Sequence, residues 1–229
     1  MIRTAFSHHL GFRVPRAGSL IVWPLMVCAL ILTGCAQPRQ APLPLGDLKL
    51  GVAYFSQPAE PADMLAGFVV DNTSRIEQQV LAEMDVLLAD VLAAESKNSF
   101  HIGESALQCG RKVGHLGGRS NNEAALRTWS ATGRCMGVDL LVVPFLFEYR
   151  ELVGSALGAS QPARVVMDIF VLDVRSESLI SRSRFDETQS ALTSNLLEAG
   201  KFFRRGGRWI TAHELAREGM EKAVRELRL

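Results

Sequence analysis

MGVDLLVVPFLFEYRE, residues 136–151, is long, almost entirely apolar and rich in β-branched and aromatic side chains, as buried strands are. ARVVMDIFVLDV, residues 163–174, has the same character, and Gly154 and Gly158 lie in the connection between the two stretches. Strands that are apolar on both faces occupy the middle of a sheet covered on both sides. Residues 136–151 therefore predict a long buried strand with a bulge or an edge at Pro144, which lacks an N–H, and residues 163–174 predict a central strand that follows it after a loose hairpin connection.

The chain after these strands predicts one more strand and then two helices. LISRSRF, residues 179–185, places two arginines in alternation with apolar or small residues, which indicates a strand with one solvent-exposed face. Apolar residues then recur at helical spacing over 190–203, and again after a capping box formed by Thr211 and Glu214.

The chain before the two central strands also alternates between strand and helix patterns. LKLGVAYFS (48–56) and SFHI (99–102) predict strands. A capping box at Ser74 and Glu77 predicts the start of a long helix between them, because apolar residues follow it at helical spacing.

QCGRKVGHLGGRSNN, residues 108–122, predicts a glycine-rich loop that does not match the phosphate-binding pattern of a P-loop. Asn122 is then predicted to cap a helix that runs to about Arg134. The complete order is β-α-β-α-β-β-β-α-α. It predicts an α/β fold in which a mixed β-sheet of about five strands packs with helices, as a single domain over 48–229.

The N-terminal segment has the layout of a secretory signal peptide. Arginines but no acidic residues occur before Asp47, and an apolar run of about 18 residues ends in LILTGCAQ (30–37). The following segment is polar and rich in proline, so it predicts a flexible tether over 35–47. Two other interpretations stay open: an uncleaved transmembrane helix, and a simple signal peptide in which Cys35 occurs by chance.

Leu32-Thr33-Gly34-Cys35 resembles the bacterial lipobox. The resemblance implies cleavage after residue 34, so that 1–34 is a lipoprotein signal peptide. It also implies a diacylglyceryl thioether on the Cys35 thiol and usually an acyl group, such as palmitate, on the new N-terminus. Two or three acyl chains anchor a protein firmly, whereas one binds only marginally. In enterobacterial lipoproteins an Asp after the cysteine favours retention in the inner membrane, so Ala36 suggests the outer membrane without excluding the inner one.

Composition argues against one class of partner and shows which cysteines remain available for pairing. The full chain has a net charge of +1; three arginines leave with the leader, so 22 basic and 24 acidic residues remain, a net −2. This balance argues against nucleic-acid binding. After loss of Cys28 and lipidation of Cys35, Cys109 and Cys135 remain in an exported chain. They predict either a disulfide or two buried thiols, and their spacing fits no zinc site.

Two stretches resemble a group of bacterial envelope proteins. They are ATGRCMGVDLLVV (131–143) and VMDIFVLDV followed by RSES (166–178). The group contains the curli-secretion lipoprotein CsgG, the N-terminal domain of TolB and the lipoprotein activators of penicillin-binding proteins. The resemblance covers about 48–185 and implies a role in protein contacts and assembly. It carries over neither a catalytic residue nor a pore-forming segment.

No pattern in the chain specifies an enzyme, a metal or a cofactor. The HExxH and GxSxG motifs are absent from the sequence, and the acidic residues have no spacing that defines an acid–base pair. Asp168 lies within an apolar strand, which indicates either a paired structural carboxylate or a functional one.

KFFRRGGRW, residues 201–209, interleaves cations with aromatic residues. Arg204, Arg205, Arg208 and Trp209 are therefore candidates for contact with a partner protein or with anionic lipid headgroups. The alternative is structural: basic residues suit the C-terminal end of a helix, and the aromatic rings pack inside.

These observations lead us to expect a non-catalytic, lipid-anchored periplasmic protein that binds or assembles other envelope components. Its expected partners are the membrane, through acyl chains on Cys35, and an unidentified envelope protein; a homo-oligomer is a further alternative. The alternative functions are a subunit of an outer-membrane secretion or transport complex and, third, a periplasmic hydrolase.

Overall fold

A computed structural model of the protein describes residues 48–67, 74–102, 104–118, 120–156, 158–189 and 203–229. The predicted signal peptide, the tether and nearly all of the helix predicted over 190–203 lie outside the described residues.

The described part of the chain contains seven strands, four α-helices and one 3₁₀ turn, Pro61–Asp63. In chain order the strands and helices are β1 (Leu50–Val52), α1 (Gln78–Glu95), β2 (Phe100–His101), α2 (Glu104–Val113), α3 (Asn121–Met136), β3 (Leu140–Arg150), β4 (Val153–Ser155), β5 (Gly158–Gln161), β6 (Arg164–Asp173), β7 (Ser178–Thr188) and α4 (Ala212–Leu227).

Five strands form one mixed sheet in the order β2-β1-β3-β6-β7. β1 runs parallel to both β2 and β3, whereas β3, β6 and β7 are successively antiparallel. β4 and β5 form a separate hairpin in the connection between β3 and β6. The predicted α/β class and the five-stranded mixed sheet are therefore confirmed.

β3 and β6 are buried on both faces of the sheet. Successive side chains of a strand point to opposite faces, and each face is covered by a layer of other elements. One face packs against α1 and α4; it includes Val142, Leu146 and Met167. The opposite face packs against α3 and the segment around the 3₁₀ turn; it includes Phe145 and Phe170. The apolar runs of the sequence are explained by these two layers.

Several boundaries differ from the sequence prediction; β1, for example, covers only Leu50–Val52 of the predicted 48–56. The stretch predicted as a glycine-rich loop contains most of α2 in its first half. α3 begins two residues earlier than predicted, because Ser120 and not Asn122 is its cap: the Ser120 hydroxyl accepts a hydrogen bond from the N–H of Glu123. α1 begins at Gln78 with Glu77 as its cap, so the predicted capping box at Ser74 is wrong.

Pro144 does not mark a bulge. It pairs regularly with Ile169, and the irregularity of β3 lies between Leu146 and Glu148. The backbone of Pro144 faces the chain that follows β1, whose regular pairing with β3 ends at Val52. There the Pro144 carbonyl accepts a hydrogen bond from the N–H of Ser56 at 3.4 Å. The missing N–H of proline therefore costs no strand pairing.

Candidate functional site

In the described part of the basic–aromatic segment, Phe203 and Arg204 are helical, and the chain then turns over 205–208 before it reaches α4. Gly206 and Gly207 both have left-handed φ angles, of 72° and 69°, which glycine adopts without strain. Phe203 is 68% exposed, and Arg204 beside it is also exposed. Lys201 and Phe202 lie outside the described residues.

Arg205 differs from its neighbours because its side chain is only 7% exposed. Its Nη2 lies 2.7 Å from Oε2 of Glu218 on α4 and 3.2 Å from Oε1 of Glu187 on β7. Its Nε also donates to Glu218, at 3.0 Å. The guanidinium group therefore fastens the turn to both elements.

Arg208 and Trp209 are partly engaged within the protein. Nη1 of Arg208 donates to Oε2 of Glu214 at 3.2 Å, and this bond, together with the cap at Thr211, lowers the pKa of the Glu214 carboxyl. The N–H of Trp209 donates to the carbonyl of Ala156 at 3.0 Å. Of the four predicted contact residues, Arg204 and Arg208 are thus exposed, Trp209 is half-buried and Arg205 is buried.

An open groove of about 790 Å³ runs beside this turn. β7, at one edge of the described sheet, forms one wall, and α4 forms the other. Lys222 of α4 donates to the backbone carbonyl of Arg184 at 3.3 Å and so occupies one acceptor on that strand. The groove carries both signs of charge; its charged lining residues are Arg184, Asp186, Glu187, Arg204, Arg205, Glu218, Glu221, Lys222 and Arg225.

The sheet face around Asp168 carries a continuous row of ion pairs across β3, β6 and β7. Each neighbouring pair has an N–O distance between 2.6 and 3.5 Å. The row consists of Arg150, Glu148, Arg164, Asp186, Arg184, Asp168 and Arg182, in that spatial order.

Asp168 is buried and lies near one end of this row, between Arg182 and Arg184. Its Oδ2 accepts from Arg182 at 2.6 Å and from Arg184 at 3.4 Å, and the guanidinium groups also lie over the rings of Phe170 and Phe147. Burial raises the pKa of the Asp168 carboxyl, although both arginines oppose the shift. The structure therefore favours the paired, structural interpretation of this residue.

A second cavity, of about 360 Å³, lies on the α3 side of the sheet. Tyr54, Trp129 and Phe145 contribute aromatic rings to it, and Asp63 and His115 lie among its polar lining residues. We call it the aromatic cleft. Sequence reasoning missed it because its residues are up to 91 positions apart and are brought together only by the pairing of the chain after β1 with β3.

The structure joins Cys109 and Cys135 by a disulfide, with their Cα atoms 5.6 Å apart. The bond connects α2 to α3. Gly110 and Gly114, which belong to α2 and to the turn after it, line the aromatic cleft, so the disulfide holds one of its walls in place.

The described residues show neither a metal-binding group of three or more His, Cys, Asp or Glu side chains nor a helix that is long and apolar enough to cross a membrane.

Comparisons with known proteins place the chain in no family. No family model and no curated protein matches it. Among solved structures, a PelC dodecamer from Paraburkholderia phytofirmans matches 82% of this chain and 92% of its own, at 13% identity and a TM-score of 0.45. The lipoprotein GNA1162 from Neisseria meningitidis matches 70% and 99%, at 10% identity and 0.38. The LpoB C-terminal domain from Salmonella enterica matches 70% and 92%, at 10% identity and 0.34. Likenesses this low support no inference about function.

Proposed function

We propose that the protein is a non-catalytic binding and assembly factor of the bacterial cell envelope, held by acyl chains on Cys35 at the outer membrane and facing the periplasm. The lipobox supports the anchoring part of this proposal. The binding part depends on one observation: Phe203 and Arg204 are consecutive exposed residues, and Arg204 lines the charged groove.

Aromatic and arginine side chains supply most of the binding energy at many protein interfaces. Phe203 offers an exposed apolar ring, and Arg204 offers a planar fork of donors that suits a carboxylate. The buried Arg205 fixes the turn immediately beside them. A surface that is already ordered loses little entropy on binding, which favours a contact role for this pair.

The mixed charges of the groove favour a protein partner over a lipid surface. An anionic membrane attracts a patch of uniform positive charge, whereas here Glu187, Glu218 and Glu221 line the groove beside the arginines. The tether of thirteen residues spans at most about 45 Å when fully extended. We therefore expect a partner that is itself at, or close to, the same membrane.

Site-specific photocrosslinking in intact cells tests this proposal. The full-length protein carries p-benzoylphenylalanine at position 203, and a matched variant carries it at position 86, where Val86 is 64% exposed on α1. We expect position 203 to crosslink a discrete envelope protein and position 86 to give none or much less.

Two outcomes would overturn the accessory role. A crosslinked product that contains only copies of this chain would favour a self-assembling subunit of a secretion or transport complex. The absence of any product specific to position 203 would show that Phe203 and Arg204 do not form a contact surface.

A further inference from the structure

We propose that the aromatic cleft is a binding site for an organic cation, with a guanidinium or alkylammonium group as the part that enters it. The cleft lies between α3, the turn after α2 and the segment that follows β1. It does not include Phe203 or Arg204, so this inference and the proposed contact surface can fail independently.

The aromatic side chains of the cleft form a connected cluster. The ring centroids of Tyr54 and Trp129 are 5.5 Å apart, and those of Trp129 and Phe145 are 6.1 Å apart. The faces of aromatic rings carry partial negative charge and attract cations, most strongly in the case of tryptophan. The cluster therefore gives the cleft an aromatic wall, which favours a cation over an anion.

The formal charge in the cleft is negative, like the partial charge on the faces of aromatic rings. Asp63 contributes a carboxylate, and none of the described lining residues is a lysine or an arginine. Its Oδ2 accepts hydrogen bonds from the N–H groups of Ala59 and Glu60, both at 3.0 Å, which fixes the side chain. Its Oδ1 lies 3.7 Å from Nδ1 of His115, a side chain that is 91% exposed and can move aside for a ligand.

Three further polar side chains that line the cleft are used within the protein. Gln57 donates to the carbonyl of Ser74 and accepts from the N–H of Ile76. The Thr128 hydroxyl accepts from the N–H of Leu116, and the Thr132 hydroxyl donates to the Thr128 carbonyl. Asp63 is the one carboxylate among the described lining residues, and a cation, unlike a neutral sugar, gains from its charge as well as from the aromatic rings.

The cleft is preformed, and one glycine keeps it open. A Cβ atom at Gly110 would lie 2.7 Å from Oη of Tyr54, too close for the ring to keep its position against α2. The disulfide fixes the same helix to α3. Because the walls are held without a ligand, a small cation would not have to order the site on entering.

Fluorine NMR of the full-length protein, labelled with 5-fluorotryptophan, tests this inference. The Trp129 resonance is assigned with Trp129→Phe, and Trp209, outside the cleft, serves as the reference. The probe is N-acetylarginine methylamide, and its uncharged control of similar shape is N-acetylcitrulline methylamide. We expect a saturable shift of the Trp129 resonance with the arginine probe, and binding at least 10-fold weaker with citrulline. Equal responses to the two probes, or none, would overturn the proposal.

Two variants and a control assign the effect to the cleft. Asp63→Asn retains an oxygen that accepts the backbone N–H bonds but removes the charge, so we expect at least 5-fold weaker binding of the arginine probe. Gly110→Ala displaces Tyr54 and should weaken binding without touching the carboxylate. Asp90→Asn, an exposed carboxylate on the opposite layer, should leave binding unchanged. Unchanged affinity in Asp63→Asn with intact melting behaviour would contradict the proposal.

The source of the cation is distinguished by a second probe, the peptide Gly-Gly-Arg-Gly-Gly with blocked ends. Binding at least 5-fold tighter than that of the single-residue probe would indicate an arginine side chain within a partner polypeptide. Equal affinity would indicate a free small cation. Both results support a cation site, whereas failure of both probes to shift the Trp129 resonance would exclude one.

Discussion

Nη2 of Arg205 lies 2.7 Å from Oε2 of Glu218, and this contact fixes the turn before α4 to the body of that helix. The sequence predicted that Arg205 would be presented to a partner together with Arg204 and Arg208. The ion pairs with Glu218 and Glu187 show instead that Arg205 is a structural residue whose side chain is 93% inaccessible to solvent. The predicted contact surface is therefore smaller and centred on Arg204.

Arg205→Ser should reduce the free energy of unfolding by about 3 kcal/mol, because it leaves Glu187 and Glu218 without their buried partner. Arg204→Ser removes the same charge from an exposed position and should change stability by less than about 0.5 kcal/mol. Denaturant unfolding of the two purified variants measures both values. Equal destabilisation would contradict the assignment of separate roles to these neighbours.

The strands of the central sheet could be predicted because each has a recognisable pattern within its own stretch of sequence. β3 and β6 each contain an unbroken apolar run, and the charged alternation of β7 correctly indicated a strand with one exposed face. The pairing partners could not be predicted in the same way. Asp168 meets Arg184 because their positions are opposite one another in the register of β6 and β7, and no pattern within either strand specifies that register.

α2 could not be predicted, because few of its side chains form part of a core. Ala106 and Cys109 are its buried residues among those described, and its surroundings in the sequence are rich in glycine. Contacts outside the helix stabilise it, above all the bond from Cys109 to Cys135. The aromatic cleft was missed for the same reason, since α2 forms one of its walls.

The disulfide should therefore stabilise the region around α2 more than the sheet. Closing a loop of about 25 residues contributes roughly 3 kcal/mol in the chain-entropy model. In the double variant Cys109→Ser and Cys135→Ser, we expect faster amide hydrogen exchange over 104–118, with little change in β3 and β6. Alkylation without a reductant, followed by mass spectrometry, checks the pairing in the protein isolated from cells, and recovery of two free thiols would exclude it.

Cys35→Ala should abolish lipidation and leave an unprocessed or soluble precursor, because no other residue of the lipobox supplies a thiol nucleophile. Metabolic labelling with a clickable palmitate analogue measures the effect. Cys28→Ala, a cysteine in the predicted leader, is the matched control and should retain the label. Equal labelling of the wild-type protein and Cys35→Ala would contradict the lipobox assignment. Membrane fractionation of the wild type then tests the expected outer-membrane location.

Asp85 should make stability depend on pH in the acidic range. Its Oδ1 accepts the N–H of Phe55 at 2.6 Å, and burial raises the pKa of the carboxyl from 3.8 to about 6, although that hydrogen bond opposes the shift. The folded protein therefore binds more protons than the unfolded chain between about pH 4 and pH 6. Its stability should fall as the pH rises through this interval and then remain level with respect to this group.

Asp85→Asn retains an oxygen that can accept the Phe55 N–H bond and removes the charge whose burial is unfavourable. We expect the variant to be more stable than the wild type at pH 7, by on the order of 1 kcal/mol once partial screening by solvent is allowed for. Near pH 4 the difference should shrink towards zero, because the wild-type carboxyl is then largely protonated. Urea unfolding at both pH values measures the effect, with the exposed Asp90→Asn as the matched control. A variant that is less stable than the wild type by the same amount at both pH values would show that the Asp85 charge does not oppose folding.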